Sequence, residues 1–234
     1  MMRRLVGGLA LALLLAGCAS QPASRSKPST TPSAQPASTE STSTKPALAD
    51  LVLSADALGD IHIGNPVPRT TPLAKYDATA CEFTAMGTPP GSSSTAAWVA
   101  NYPKQTNATG QTAPFIIVTA KQKPHAPVST LWVWAPGIHT AKGIQVGSSR
   151  SQLEAAYPRP DALEHGRVSD VYVVDGVVGT LLIEVARSDG NDVGYWGPAD
   201  VDTVLWMGAI APGGTAVPIA GTDGGPSTCA DIKS

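Results

Sequence analysis

Between residues 19 and 46 the chain carries no Val, Ile, Leu, Met, Phe, Tyr or Trp. A run of Ser, Thr, Pro, Ala and Gln of this length cannot bury enough apolar surface to offset the entropy of ordering it, so it is a linker. Whatever folds must lie beyond it. Fully extended, the segment reaches roughly 90 Å, and as a random coil about 30 Å, with its prolines favouring extension. Apolar patterning resumes at Leu48 and continues to about Ile232. That length suits one or two compact units around a single sizeable core.

What precedes the linker is an address. Arg3 and Arg4 lead into an apolar run from Leu5 to Ala16, too short to span a bilayer and typical of a secretory signal. The run ends in Leu15, Ala16, Gly17 and Cys18, a tetrad that resembles the lipobox of bacterial lipoproteins. The resemblance implies that residues 1–17 are removed and that the Cys18 thiol carries the lipid. Two or three acyl chains, at about 0.8 kcal/mol per buried CH₂, would hold such a protein firmly to a membrane. The expected division is therefore a signal peptide at 1–17, a lipidated Cys18 with a disordered linker to 46, and a compact domain over 47–234.

Within that domain Ile61-His62-Ile63-Gly64 is echoed by Ile144-Gln145-Val146-Gly147, 83 residues later. Two degenerate, related halves are expected, at about 47–136 and 137–234. In the second, Ser149 and Gln152 form a capping box that opens a helix over 150–157, ended by Pro158. The runs Val171 to Val174 and Val177 to Val185 on either side of Asp175-Gly176 predict a hairpin with a tight primed turn, and a further strand fits 201–207. In the first half, Pro66, Pro68 and Pro72 reduce the matching helix to a turn or loose coil. Strands are expected there at 81–86, 115–120 and 131–135, with an insertion over 87–112 that includes a short helix near 96–100. The 23 Gly and 21 Pro argue against a helical bundle. The expected class is α+β: a mainly antiparallel sheet with few short helices. A net charge of −2 offers nothing to nucleic acid.

The segment from Thr140 to Pro158, with its Val-Gly-Ser-Ser cap and Leu-x-x-x-Tyr helix, resembles a stretch common in uncharacterised lipoproteins of actinobacterial type. It is also similar to small helix-on-sheet modules of envelope-assembly lipoproteins and of the β-lactamase inhibitory protein. That likeness implies a binding module rather than an enzyme, and it transfers no site residues.

With Cys18 lipidated, Cys81 and Cys229 remain as an even pair in an oxidising compartment, where a disulfide is expected and two buried thiols are the alternative. Asp189, Asn191, Asp192, Asp200 and Asp202 have the composition of surface turns more than that of a calcium loop. His62, His125, His139 and His165 show no zinc-ligand spacing. No metal, cofactor or catalytic set is expected. Trp132 and Trp134, two apart on a strand, share a face opposite Leu131 and Val133. They are either core or an aromatic surface suited to a partner. The functional expectation is a lipid-anchored exported cell-envelope protein whose domain binds a protein or ligand without catalysis. The alternatives are a hydrolase or transferase acting on cell-wall polymer, and a carrier of an apolar ligand.

Overall fold

The computed structural model describes residues 45–82, 94–105, 113–188 and 195–214. Eight antiparallel strands form the main sheet. They are β4 (Ala74–Glu82), β5 (Ser94–Ala100), β6 (Phe115–Thr119), β7 (Val128–Val133), β9 (Ala162–His165), β10 (Ser169–Asp175), β11 (Thr180–Ala186) and β12 (Val204–Ile210). Four two-residue strands make a smaller sheet: β1 (Val52–Leu53), β2 (Ala57–Leu58), β3 (Ile61–His62) and β8 (His139–Thr140). A single α-helix among the described residues, α1 (Arg150–Ala156), completes the fold. The α+β class with a mainly antiparallel sheet is what the sequence predicts.

The order in the large sheet is β4-β5-β6-β7-β12-β11-β10-β9. Each half thus contributes a four-stranded meander, and the two meet where their last strands pair, Met207 with Val133 through Ile210 with Thr130. The repeated Ile-x-x-Gly segment does the same work in both halves. Gly64 donates its N–H to the Val128 carbonyl at 2.9 Å, and Val128 returns one to Asn65 at 2.8 Å. Gly147 and Ser148 make the same pair of bonds with Val204, both at 2.8 Å. Each glycine sits at positive φ, 79° and 87°, as the third residue of a turn closed from Asn65 to His62 or from Ser148 to Gln145. Only a residue without Cβ adopts that conformation freely. The echo is therefore a clip that fixes the start of β7 and of β12.

Both faces of the large sheet are buried over its central strands. One packs against the small sheet and α1, bringing Leu53, Leu58, Ile61 and Leu153 onto Phe115, Leu131, Ile183 and Met207. The other carries Trp132, Trp134, Leu182, Trp206 and Ile210, with Trp196 packed on them. Every residue of β12 is consequently buried. A strand of that kind reads as a continuous apolar run rather than an alternation.

Several expectations are corrected. Residues 96–100 form β5, not a helix: Ala97 is fully buried between neighbouring strands, and pairing of Trp98 with both Tyr76 and Ile117 overrides alanine's helix propensity. The segment matched to the second helix becomes β4 from Ala74 onward. The helix at 150 forms as expected, with Ser149 accepting from Gln152 N at 3.2 Å and Gln152 Oε1 accepting from Ser149 N at 2.8 Å. The hairpin turn, in contrast, lies two residues later than Asp175-Gly176. Gly176 donates to the Gly179 carbonyl at 2.8 Å, leaving Val177 and Val178 as the two loop residues. Neither has positive φ, so the turn is not a primed one.

Candidate functional site: an ionic cleft and a locked hairpin

The strand registers give the sheet two distinct ends. At one, β5, β7, β9 and β11 finish and β4, β6, β10 and β12 begin. The chain enters the fold here. Lys45 Nζ donates to the Asn101 carbonyl at 2.5 Å and lies 4.5 Å from the Tyr102 ring centroid, while Tyr102 donates its hydroxyl to the Pro46 carbonyl at 2.8 Å. These contacts fasten the last residues of the expected linker to the first meander.

At the same end, across the sheet, lies a cleft of about 350 Å³ lined by Arg150, His165, Asp170, Arg187, Ser188 and Asp202. Its organising group is Arg150, the first helical residue of α1. The guanidinium reaches Asp170 Oδ2 and Asp202 Oδ1, each at 2.9 Å, and the Ala186 carbonyl at 2.9 Å. Burial acts against the Arg150 charge, but the bonds to Asp202 and Asp170 outweigh it and hold its pKa above the ordinary arginine value. Asp170 also accepts at 2.7 Å from His165 Nδ1, and Arg187 stands 3.7 Å away. The cluster ties α1 to β10, β11 and the segment leading into β12. Its charges are paired with one another, which stabilises the fold locally and leaves the exposed His165 ring and Ser188 as the polar rim. Asp202, weighed in the sequence as a turn residue, belongs to this clasp and takes φ 55° there. Among the described residues, no group of three or more His, Cys, Asp and Glu side chains is placed to hold a metal ion.

The opposite end carries the β10–β11 hairpin. Asp56, in the loop between β1 and β2, accepts from the N–H groups of Val177 at 3.2 Å, Val178 at 2.8 Å and Gly179 at 2.8 Å. Three successive backbone donors converging on one carboxylate make a small anion nest. The approach is close enough to require glycine on both sides. A Cβ on Gly176 would lie 2.5 Å from Ala55 Cβ, and one on Gly179 would lie 2.3 Å from the Ala55 carbonyl oxygen. So a first-half loop locks a second-half turn, and Val177 is left 94% exposed with Val178 at 47%.

The bonds from Val178, Gly179 and Val177, helped by nearby His62, hold the Asp56 carboxyl below the ordinary value of 3.8. A depressed folded-state pKa stabilises above the unfolded value, and that stability is lost as pH falls through the folded one. Asp56→Ala is expected to lower unfolding free energy by about 1–2 kcal/mol at pH 7, given charged-acceptor bonds open to solvent. The difference from the native chain should shrink below about pH 4. Urea unfolding from pH 7 to pH 3 checks this; a constant difference across that range would show that the carboxylate is not the lock.

Of the residues singled out from sequence, Trp132 and Trp134 do not form a surface: each is 3% exposed. They share a face opposite Leu131 and Val133, as alternation requires, but that face is core. Trp132 packs edge-on against Trp206 with centroids 4.7 Å apart. His62 is exposed between buried Ile61 and Ile63. Cys18 and Cys229, and with them the lipid attachment and the disulfide to Cys81, lie outside the described residues, as does the side chain of Cys81. Sequence reasoning missed the Asp56 lock, whose partners are more than 120 residues apart, and the Arg150 clasp, which joins Arg150 to Asp202 across 52 residues. The signal within reach was Val-Val placed between two glycines at a turn.

No family model, curated protein or solved structure matches the chain.

Proposed function

We propose that this chain is a lipid-anchored exported protein of the bacterial cell envelope whose sheet domain is a non-enzymatic binding module. The observation that carries the binding part is the hairpin around Val177 and Val178, which the fold holds rigidly in water at the sheet end opposite the point where the chain enters. Preorganised, exposed apolar residues are what a recognition surface requires and what a core does not. The anchoring part rests on the Leu15-Ala16-Gly17-Cys18 tetrad and the linker that follows.

The test is fractionation of cells expressing the native chain and Cys18→Ser. The native protein is expected in the membrane pellet after a high-salt wash, and the variant at least about tenfold depleted from it, because lipid chains and not surface charge supply the affinity. A variant that pellets as well as the native chain sinks the anchoring reading.

A further inference from the structure

The loop residues of a turn are usually drawn from Gly, Pro, Asn, Asp and Ser. Here they are both valine, with Val177 almost wholly in water. A Cβ built on Gly64 would stand 3.8 Å from Val178 Cγ1, so Val178 leans back toward the first half and leaves Val177 outermost. Neither side chain joins either of the two core clusters. Two adjacent apolar side chains held in water, joining neither core cluster of the described residues, point to burial against a partner. We propose that Val177 and Val178 form a docking knob that inserts into an apolar pocket, rimmed by basic residues, on another envelope protein. This rests on the reading of the chain as an anchored binding module.

Three features fit such a partner. First, the N–H groups of residues 177, 178 and 179 are all given to Asp56, so a dry pocket can enclose the knob without stranding a donor. The same bonds fix the loop beforehand, which reduces the entropy lost on association. Second, the knob is ringed by carboxylates. Besides Asp56 there are Asp161, which accepts from Asp175 N at 2.8 Å, and Asp175, which accepts from Thr180 Oγ1 at 3.0 Å. Negative charge around an apolar centre calls for a positive rim on the partner and disfavours an anionic lipid surface. Third, the knob lies at the sheet end away from Lys45, where the chain comes in from the anchor.

The test uses the full lipidated chain in its own cell envelopes, with a photo-crosslinking residue at position 177 and, as controls, at the exposed Glu164 and Lys75. The expected result is an adduct from position 177 alone, whose crosslinked peptide maps to apolar residues neighbouring Lys or Arg in a different protein. Its yield should fall about tenfold with Val178→Asp, the scale set by denying one valine its burial. It should also fall with Asp175→Asn and with added salt. Val178→Ser, with a melting temperature checked against the native chain, separates loss of docking from loss of fold. An adduct to lipid, an adduct to a second copy of this chain, or equal adducts from all three positions overturns the proposal. So does the absence of an adduct from position 177 when the chain is in the membrane fraction, while adducts from a control position alone would leave the binding-module reading standing without the knob. A chain missing from the membrane fraction is a failure of the anchoring reading instead.

Discussion

Gly208→Val is expected to destabilise the domain by about 3 kcal/mol, and Gly208→Ala by about 2 kcal/mol, through overpacking of a strand that has no room to yield. Glycine inside a strand ordinarily weakens it, and alanine there would recover something like 0.5–1 kcal/mol if space allowed. Space does not allow it. Gly208 pairs directly with Trp132, and a Cβ at 208 would lie 2.4 Å from Trp132 Cε3, 2.6 Å from Cζ3 and 2.8 Å from the Leu131 carbonyl oxygen. The indole has laid its six-membered ring over the bare backbone of β12. It cannot swing aside, because its edge contact with the fully buried Trp206 holds it in place. Urea unfolding followed by tryptophan fluorescence measures the loss, and Gly197→Ala, whose Cβ would come no closer than 3.4 Å to Asp200 Oδ2, is the control that should change little. A double-mutant cycle tests the cause. With Trp132→Ala already present, adding Gly208→Val should cost about 1–2 kcal/mol less than it does alone. An equal cost in both backgrounds would place the strain at the Leu131 carbonyl rather than at the indole.

The clash at Gly208 marks where sequence reading stops. That Trp132 and Trp134 share a face follows from the two-residue period of a strand, and the fold agrees. That both faces of the sheet would be buried does not follow, because a half-exposed strand and a doubly covered one place side chains identically and differ only in what lies above them. β12 is the case in point: Val204 through Ile210 are all buried, and Gly208 reads as a weak strand residue until Trp132 is seen on top of it. The repeated clip was legible because Gly64 and Gly147 serve a local turn that requires glycine and so leaves the same mark twice. The hairpin was legible in its strands but not in its turn. Asp175-Gly176 has the residues of a primed turn, and the loop is set two residues later by a carboxylate more than 120 residues away. β1, β2, β3 and β8, with two residues each, are too short to carry any periodicity. The candidate site was least legible of all. Arg150, Asp170, Asp202 and His165 are ordinary surface residues in sequence and become a clasp only when α1 is laid beside β10 and the lead-in to β12.

Glu184→Ala is expected to cost about 4 kcal/mol. Glu184 is fully buried on the tryptophan face of the sheet. One carboxyl oxygen accepts from Ser169 Oγ and the other from Trp206 Nε1. A β-bulge makes this possible. Glu184 pairs with Trp206 and Val185 with Val204, so Leu205 is the extra residue, and both Leu205 and Trp206 turn toward the same apolar face. Removing the carboxyl leaves the Trp206 and Ser169 donors without these acceptors in a site closed to water, at about 1–3 kcal/mol for each unsatisfied group, and opens a cavity besides. Glu184→Met restores most of the volume without an acceptor and should recover only part of the loss. Glu184→Gln should be tolerated to within about 1.5 kcal/mol. Its amide oxygen can serve the Trp206 N–H, which can only donate, while its NH₂ faces Ser169, whose hydroxyl can turn and accept. Chemical unfolding at pH 7 ranks the three. If Gln were as damaging as Ala, the group that matters would be the charge and not the pair of acceptors; if Met matched Gln, packing alone would account for the site, and the bonds to Trp206 and Ser169 would contribute nothing measurable.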